Sequence, residues 1–139
     1  MMTEKMTRQR VAEIIAAAHA KNERPNLAYA NLTGLDMPGL DMTAADLTGA
    51  DMSHTNMAYA NLRDATLQDA DLTGATLAAA NLTAADLTGA TLTAADLEGA
   101  RLHGAILTDA DLFRANLAGA SLTGATRASA RTRDANLGD

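Results

Sequence analysis

Leucine or methionine recurs at every fifth residue from Leu27 to Leu122, twenty consecutive times without a slip of register. Two residues before each such centre stands alanine, from Ala30 to Ala135, with Leu35, Leu40 and Thr55 the exceptions among twenty-two positions. The residue just before the centre is mostly Asp, Asn or Thr, and the two after it are mostly small or polar, as in ADLTG, ANLTA and ATLTA. An α-helix repeats about every 3.6 residues and a strand about every 2, so either would scatter these leucines over several faces. Something must turn the chain once per repeat. One pentapeptide then supplies one side and one corner of a square coil, with the centre and the preceding alanine inward and the other three residues in water. Four repeats complete a coil, and identical positions stack about 4.8 Å apart. Alanine keeps the bore narrow, and glycine at the last position of the repeat, as in Gly49, Gly74, Gly89 and Gly99, eases the corners.

Tandem A(D/N)LxG units of this kind resemble the pentapeptide-repeat family. The resemblance implies an all-β solenoid, a right-handed quadrilateral β-helix, over residues 25–139 in about 23 repeats, the last coil degenerate. Residues 1–24 form a separate N-terminal capping segment. A leucine-rich repeat would need a longer unit with unequal leucine spacings.

Composition narrows the function. One Phe, two Tyr and no Trp cannot fill a wide globular core, and no cysteine is present for disulfides, thiol catalysis or thiolate zinc sites. The first ten residues, MMTEKMTRQR, carry charges of both signs, so the chain shows neither a signal-peptide nor a membrane-span pattern and reads as cytoplasmic. Net charge is −6, unevenly placed: residues 1–24 hold five basic and three acidic side chains, whereas residues 25–139 hold six and fourteen, with no lysine. The repeat region at −8 favours a basic protein partner and argues against direct binding to nucleic acid or an anionic membrane.

Both ends of a solenoid expose its core and need covers. Upstream of the repeats Val11, Ile14, Ile15 and Ala18 follow the spacing of a helix with one apolar stripe, starting near Thr3 or Thr7 and stopping before Pro25. In the first coil Leu35 and Leu40 replace alanine while Met37 and Met42 replace leucine, so the helix is expected to pack there. At the other end Arg127 and Thr132 occupy inward centres and Leu137 keeps the pattern. Arg127 can lay its stem over the last leucines with its head in water. The same residues are candidate contacts for a homodimer through the C-terminal ends, an arrangement the family resemblance also suggests.

No constellation points to catalysis, a cofactor or a metal. His19, His54 and His103 fall on the helix and on different sides of the tube. The carboxylates recur with the repeat, as solvated or turn-stabilising groups do. In the position before the centre, Asp51 stacks directly on Asp71 in a column that continues to Thr91 and Asp111; with Asp64 and Asp69 close in sequence, these five acids are the candidate interaction patch. The chain is therefore expected to be a non-enzymatic protein-interaction module. The alternative comes from the family resemblance: some acidic members look like rods of B-form DNA and bind the DNA gate of type II topoisomerases such as DNA gyrase, conferring quinolone resistance or toxin immunity. Such a partner would offer a basic DNA-binding groove. About 27 Å of rod matches roughly eight base pairs and sixteen phosphates, so −8 is half the charge density of DNA. The sequence also departs from many such inhibitors, having no Phe at an inward centre and no long loop between repeats.

Overall fold

The computed structural model describes residues 4–138. A single helix, α1 (Arg8–Ala20), precedes the repeats. Thr7 begins it: the Arg10 N–H donates to Thr7 Oγ1 at 3.1 Å, satisfying one of the free donors of the first turn. Asn22 ends it at φ 55°, and the N–H groups of Lys21, Asn22 and Glu23 close back on Ala18 and His19 carbonyls at 2.9–3.0 Å. Asparagine tolerates this left-handed conformation, which turns the chain out of the helix.

From Asn26 onward, the residue before each centre makes a parallel β-bridge to the residue twenty positions later, from Asn26↔Asp46 to Asn116↔Asn136. Four bridges per twenty residues make a four-sided β-solenoid. The first side carries Asn26, Asp46, Thr66, Asp86, Ile106 and Thr126; the second Asn31, Asp51, Asp71, Thr91, Asp111 and Arg131; the third Asp36, Asn56, Thr76, Asp96, Asn116 and Asn136; the fourth Asp41, Asn61, Asn81, Arg101 and Ser121. Each bridge is isolated and no longer strand forms, because the corner takes the residues that a strand would need. The rung at Leu82 is typical: its N–H donates to Arg101 O at 2.7 Å, and Arg101 N–H donates to Ala80 O at 2.9 Å. The corner is closed by Ala85 N–H donating to Leu82 O at 3.0 Å.

All 22 corners among the described residues hold a positive φ, between 55° and 72°, at the second residue after the centre. This is the third residue of a turn of the type II pattern. Glycine fills only nine of these positions; the others include Tyr29, His54, Tyr59 and Arg114. Inside, every centre from Leu27 to Leu117 is at most 1% exposed, as are the alanines beside them. Thr55, the one buried polar residue among those described, donates its hydroxyl to Met52 O at 2.7 Å.

The first coil is covered twice over. Val11 and Ile15 of α1 are buried in the same apolar cluster as the leucines, and Ile14, Leu35 and Leu40 pack against it half-buried. Ala18, expected on the same stripe, instead lines a groove beside the helix with Arg10, Glu13 and Lys21. Thr3, one of the two expected starts, lies outside the described residues. Lys5 adds a rung that the five-residue period did not reveal: it bridges Asn31 in parallel, Met6 N–H donates to Asn31 O at 2.9 Å, and the Met6 side chain packs on the core.

Candidate interaction surface

The repeating acid before each centre serves the corner first. Thr73 donates both its N–H (2.9 Å) and its hydroxyl (2.6 Å) to Asp71 Oδ1. The same two-pronged clip joins Thr43 to Asp41, Thr48 to Asp46, Ser53 to Asp51 and Thr88 to Asp86, and asparagine does it equally at Asn31 and Asn81. These are Asx turns reinforced by a hydroxyl. One oxygen of each clipped carboxylate is thereby fixed, and at Asp86 the other accepts from Gln68 Nε2 at 2.6 Å.

The clips also lower carboxyl pKa values. The Thr43 hydroxyl holds Asp41 below the usual carboxylate range against partial burial, helped by the Thr43 N–H and the nearby His19. Thr48 does the same for Asp46, with Arg24 adding attraction. At Asp51 partial burial pushes upward, but the Ser53 hydroxyl and N–H and the Thr33 hydroxyl outweigh it. At Asp86 burial is likewise outweighed, by Thr88 and Gln68.

The five acids picked from the sequence are only partly brought together. Asp51 and Asp71 are bridge partners on the second side, and Asp69 occupies the corner leading into it. Asp111 is separated from Asp71 by Thr91, and Arg131 lies 3.5 Å from it. Asp64 sits at the corner between the fourth and first sides, a full side away, 3.3 Å from Arg63. The three histidines stay apart: His19 Nε2 lies 3.4 Å from Thr43 O, the His54 ring lies over Gly74, and His103 faces Ser121. Among the described residues no group of His, Asp or Glu is placed to hold a metal ion, and no helix is long and apolar enough to cross a membrane.

A finer division of charge follows the solenoid axis. Residues 25–100 hold ten acidic side chains and one basic, Arg63, for a net −9; residues 101–139 hold four acidic and five basic, for a net +1. The third side has Asp36, Asp96 and Glu98 and no basic residue among those described, whereas Arg114, Arg131 and Arg133 gather at the C-terminal end of the second. The acidic charge is thus spread over all sides of the first four coils, with the third side free of basic residues among those described and Asp51 stacked on Asp71 on the second. The signal was present in the sequence as the order of charges along the coils. At the last coil Arg127 is exposed, and Thr132 and Leu137 are half-buried.

Stacked coils, clipped corners and a covered first coil define a β-solenoid repeat protein. The chain matches the description "Pentapeptide repeats" in eight copies over residues 26–58, 55–93 and 92–126, and it belongs to that family. No curated protein matches it. Among solved structures it is similar to the pentapeptide repeat protein Rfr23 from the cyanobacterium Cyanothece 51142, at 26% identity over 89% of this chain and 92% of that one, with a TM-score of 0.52. It is 34% identical to HetL of Nostoc sp. strain PCC 7120, described as involved in heterocyst differentiation regulation; the match covers 81% of this chain and 64% of HetL, with a TM-score of 0.42. QnrB1, described as a plasmid-mediated fluoroquinolone resistance protein, matches at 20% identity over 82% of this chain and 71% of that one, with a TM-score of 0.44. The values for HetL and QnrB1 are too low to carry a functional argument.

Proposed function

We propose that the protein is a non-enzymatic interaction module that presents the acidic flank of its first four coils to a basic surface on a partner protein. The observation that carries this reading is the net −9 held over residues 25–100 on a stack whose every rung is hydrogen-bonded. Carboxylates clipped at one oxygen do not need to be ordered on binding, which favours steering and register over bulk adhesion. Crosslinking in lysate, read by mass spectrometry, tests it. The expected result is a partner contacted through a basic surface and lost when Asp36, Asp96 and Glu98, which share the third side, are replaced by lysine. Crosslinks indifferent to that replacement would overturn the reading.

The same charge map supports a second reading, a DNA mimic for DNA gyrase. Nearly four coils at about 4.8 Å span roughly 18 Å, over which B-form DNA carries about eleven phosphate charges. Nine net charges on that stretch come much nearer to DNA than the average over all the repeats does. Under this reading the purified protein inhibits gyrase supercoiling at micromolar concentration, and added salt relieves the inhibition. Full supercoiling in the presence of the protein at low salt would remove gyrase and leave the first reading standing.

A further inference from the structure

The backbone of each coil uses all its donors and leaves one acceptor over. In the repeat at residues 80–84 every N–H donates, in turn to Leu77 O, Ala60 O, Arg101 O, Asn81 Oδ1 and His103 O. The carbonyls of Ala80, Asn81, Leu82 and Thr83 accept from the N–H groups of Arg101, Leu62, Ala85 and Asp64. Ala84 O, at the corner, accepts from none, and no other corner carbonyl among the described residues takes a backbone N–H. These carbonyls stand in four columns along the tube, about 4.8 Å apart. The chain itself fills one of them, and does so with an arginine. Exposed Arg24, just after α1, donates Nε to Ala44 O at 2.8 Å and Nη2 to Thr66 Oγ1, one coil further on, at 2.7 Å. Its charge also helps to hold the Asp46 carboxyl ionised. The frame around this guanidinium is thus a corner carbonyl with the residues two and twenty-two places after it. Of the corners among the described residues, Gly49 alone has acids at both places, the bridge partners Asp51 and Asp71. Thr73 holds Asp71 by Oδ1, and Asp71 Oδ2 has no hydrogen-bond partner among the described residues. The exposed Tyr29 ring lies over Gly49.

We propose that this corner binds an arginine side chain of a partner protein, with Nε on Gly49 O, an Nη on Asp71 and the guanidinium beside Asp51. The proposal rests on the reading of a basic partner and adds which cation is chosen and where. Carbonyl and carboxylate stand on successive coils, so one cation must present donors in two directions. A guanidinium does so, as Arg24 shows, whereas the donors of an ammonium radiate from a single nitrogen. The neighbouring Tyr29 ring favours the flat cation as well, since guanidinium stacks on aromatic rings.

The probes are two fluorescein-labelled peptides of equal charge, one of five Arg-Gly units and one of five Lys-Gly units, each added to the full chain at low salt. The arginine peptide should bind at least about threefold tighter by anisotropy, and in carbon-detected NMR it should shift the Gly49 carbonyl and the Asp71 carboxyl. Asparagine keeps the clip, as at Asn31 and Asn81, but sets an amide donor where Oδ2 stood. Asp51→Asn/Asp71→Asn should therefore abolish the preference for arginine. Asp36→Asn/Asp96→Asn removes the same charge from the third side and should retain it. Equal binding of the two peptides overturns the proposal while leaving the acidic flank standing as a charged surface. A preference that survives Asp51→Asn/Asp71→Asn, or that is lost equally in both double variants, overturns it too, because the cation is then chosen elsewhere or by net charge alone.

Discussion

At the scale of the residue, the corner is where this sequence departs most from its own regularity, and the departures follow a packing rule. At three corners a side chain lies over the corner twenty residues on, and glycine stands beneath it. A methyl group added at Gly49 would fall 2.5 Å from the Tyr29 ring, and one at Gly74 would fall 2.7 Å from the His54 ring; Asp69 lies over Gly89 in the same way. Gly99 has φ +67° and nothing within 4 Å of such a methyl group. Gly99→Ala should therefore cost only the left-handed backbone strain, about 1 kcal/mol, while Gly74→Ala should cost more because His54 must swing away. Urea unfolding checks this: the difference between the two substitutions should vanish in a His54→Gly background, and its persistence would refute the packing rule. A second prediction belongs to the clipped acids. Asp41, Asp46, Asp51 and Asp86 have folded pKa values below the unfolded value, so their contribution is present above the unfolded pKa and is lost as pH falls through the folded ones. Stability to urea should fall below about pH 4. Replacing all four by asparagine, which makes the same clip at Asn31 and Asn81, should flatten that loss.

At the scale of the element, α1 was legible from its stripe and its bracketing residues; Val11 and Ile15 are buried in the apolar cluster of the inward centres, and Leu35 and Leu40 pack half-buried against it. The Lys5–Met6 rung was not legible, because one isolated unit has no period to betray it. The twenty-residue stacking likewise placed each corner residue over the next one along the axis, but not the way its side chain lies across it. Helix and rung together act as a local seal, so weakening them should loosen only the coils nearby. Val11→Ala removes two methyl carbons from a fully buried site and should cost about 1–2 kcal/mol. In native-state hydrogen exchange the Leu27, Leu32 and Met37 amides should then exchange faster, with Leu82 and Leu87 unmoved. Uniform acceleration along the whole stack would show that the coils open only as one unit.

At the scale of the whole molecule, the coils are alike in backbone and unlike in what lies on either side of them. The core was legible almost residue by residue, since one period dictates each inward position. The acidic patch was legible only in part, because which carboxylates share a surface depends on the coil and the side as well as on the residue. The same dependence on position makes a single substitution test the architecture. Leu82 has coils above and below it and no exposure, so Leu82→Arg would place a guanidinium where neither water nor a carboxylate can reach it. Several kcal/mol is at stake, enough to rival the stability of a domain of this size. Leu122 stands at the same position of the repeat, on the same side, two coils later, and is half-buried. There an arginine can lay its stem on Leu102 and keep its head in water, as the exposed Arg127 shows is tolerated on the neighbouring side. Circular dichroism melts should show cooperative unfolding lost for Leu82→Arg, but kept for Leu122→Arg with a loss of about 1–2 kcal/mol. Equal damage from both would mean that Leu122 is as fully sealed in solution as Leu82.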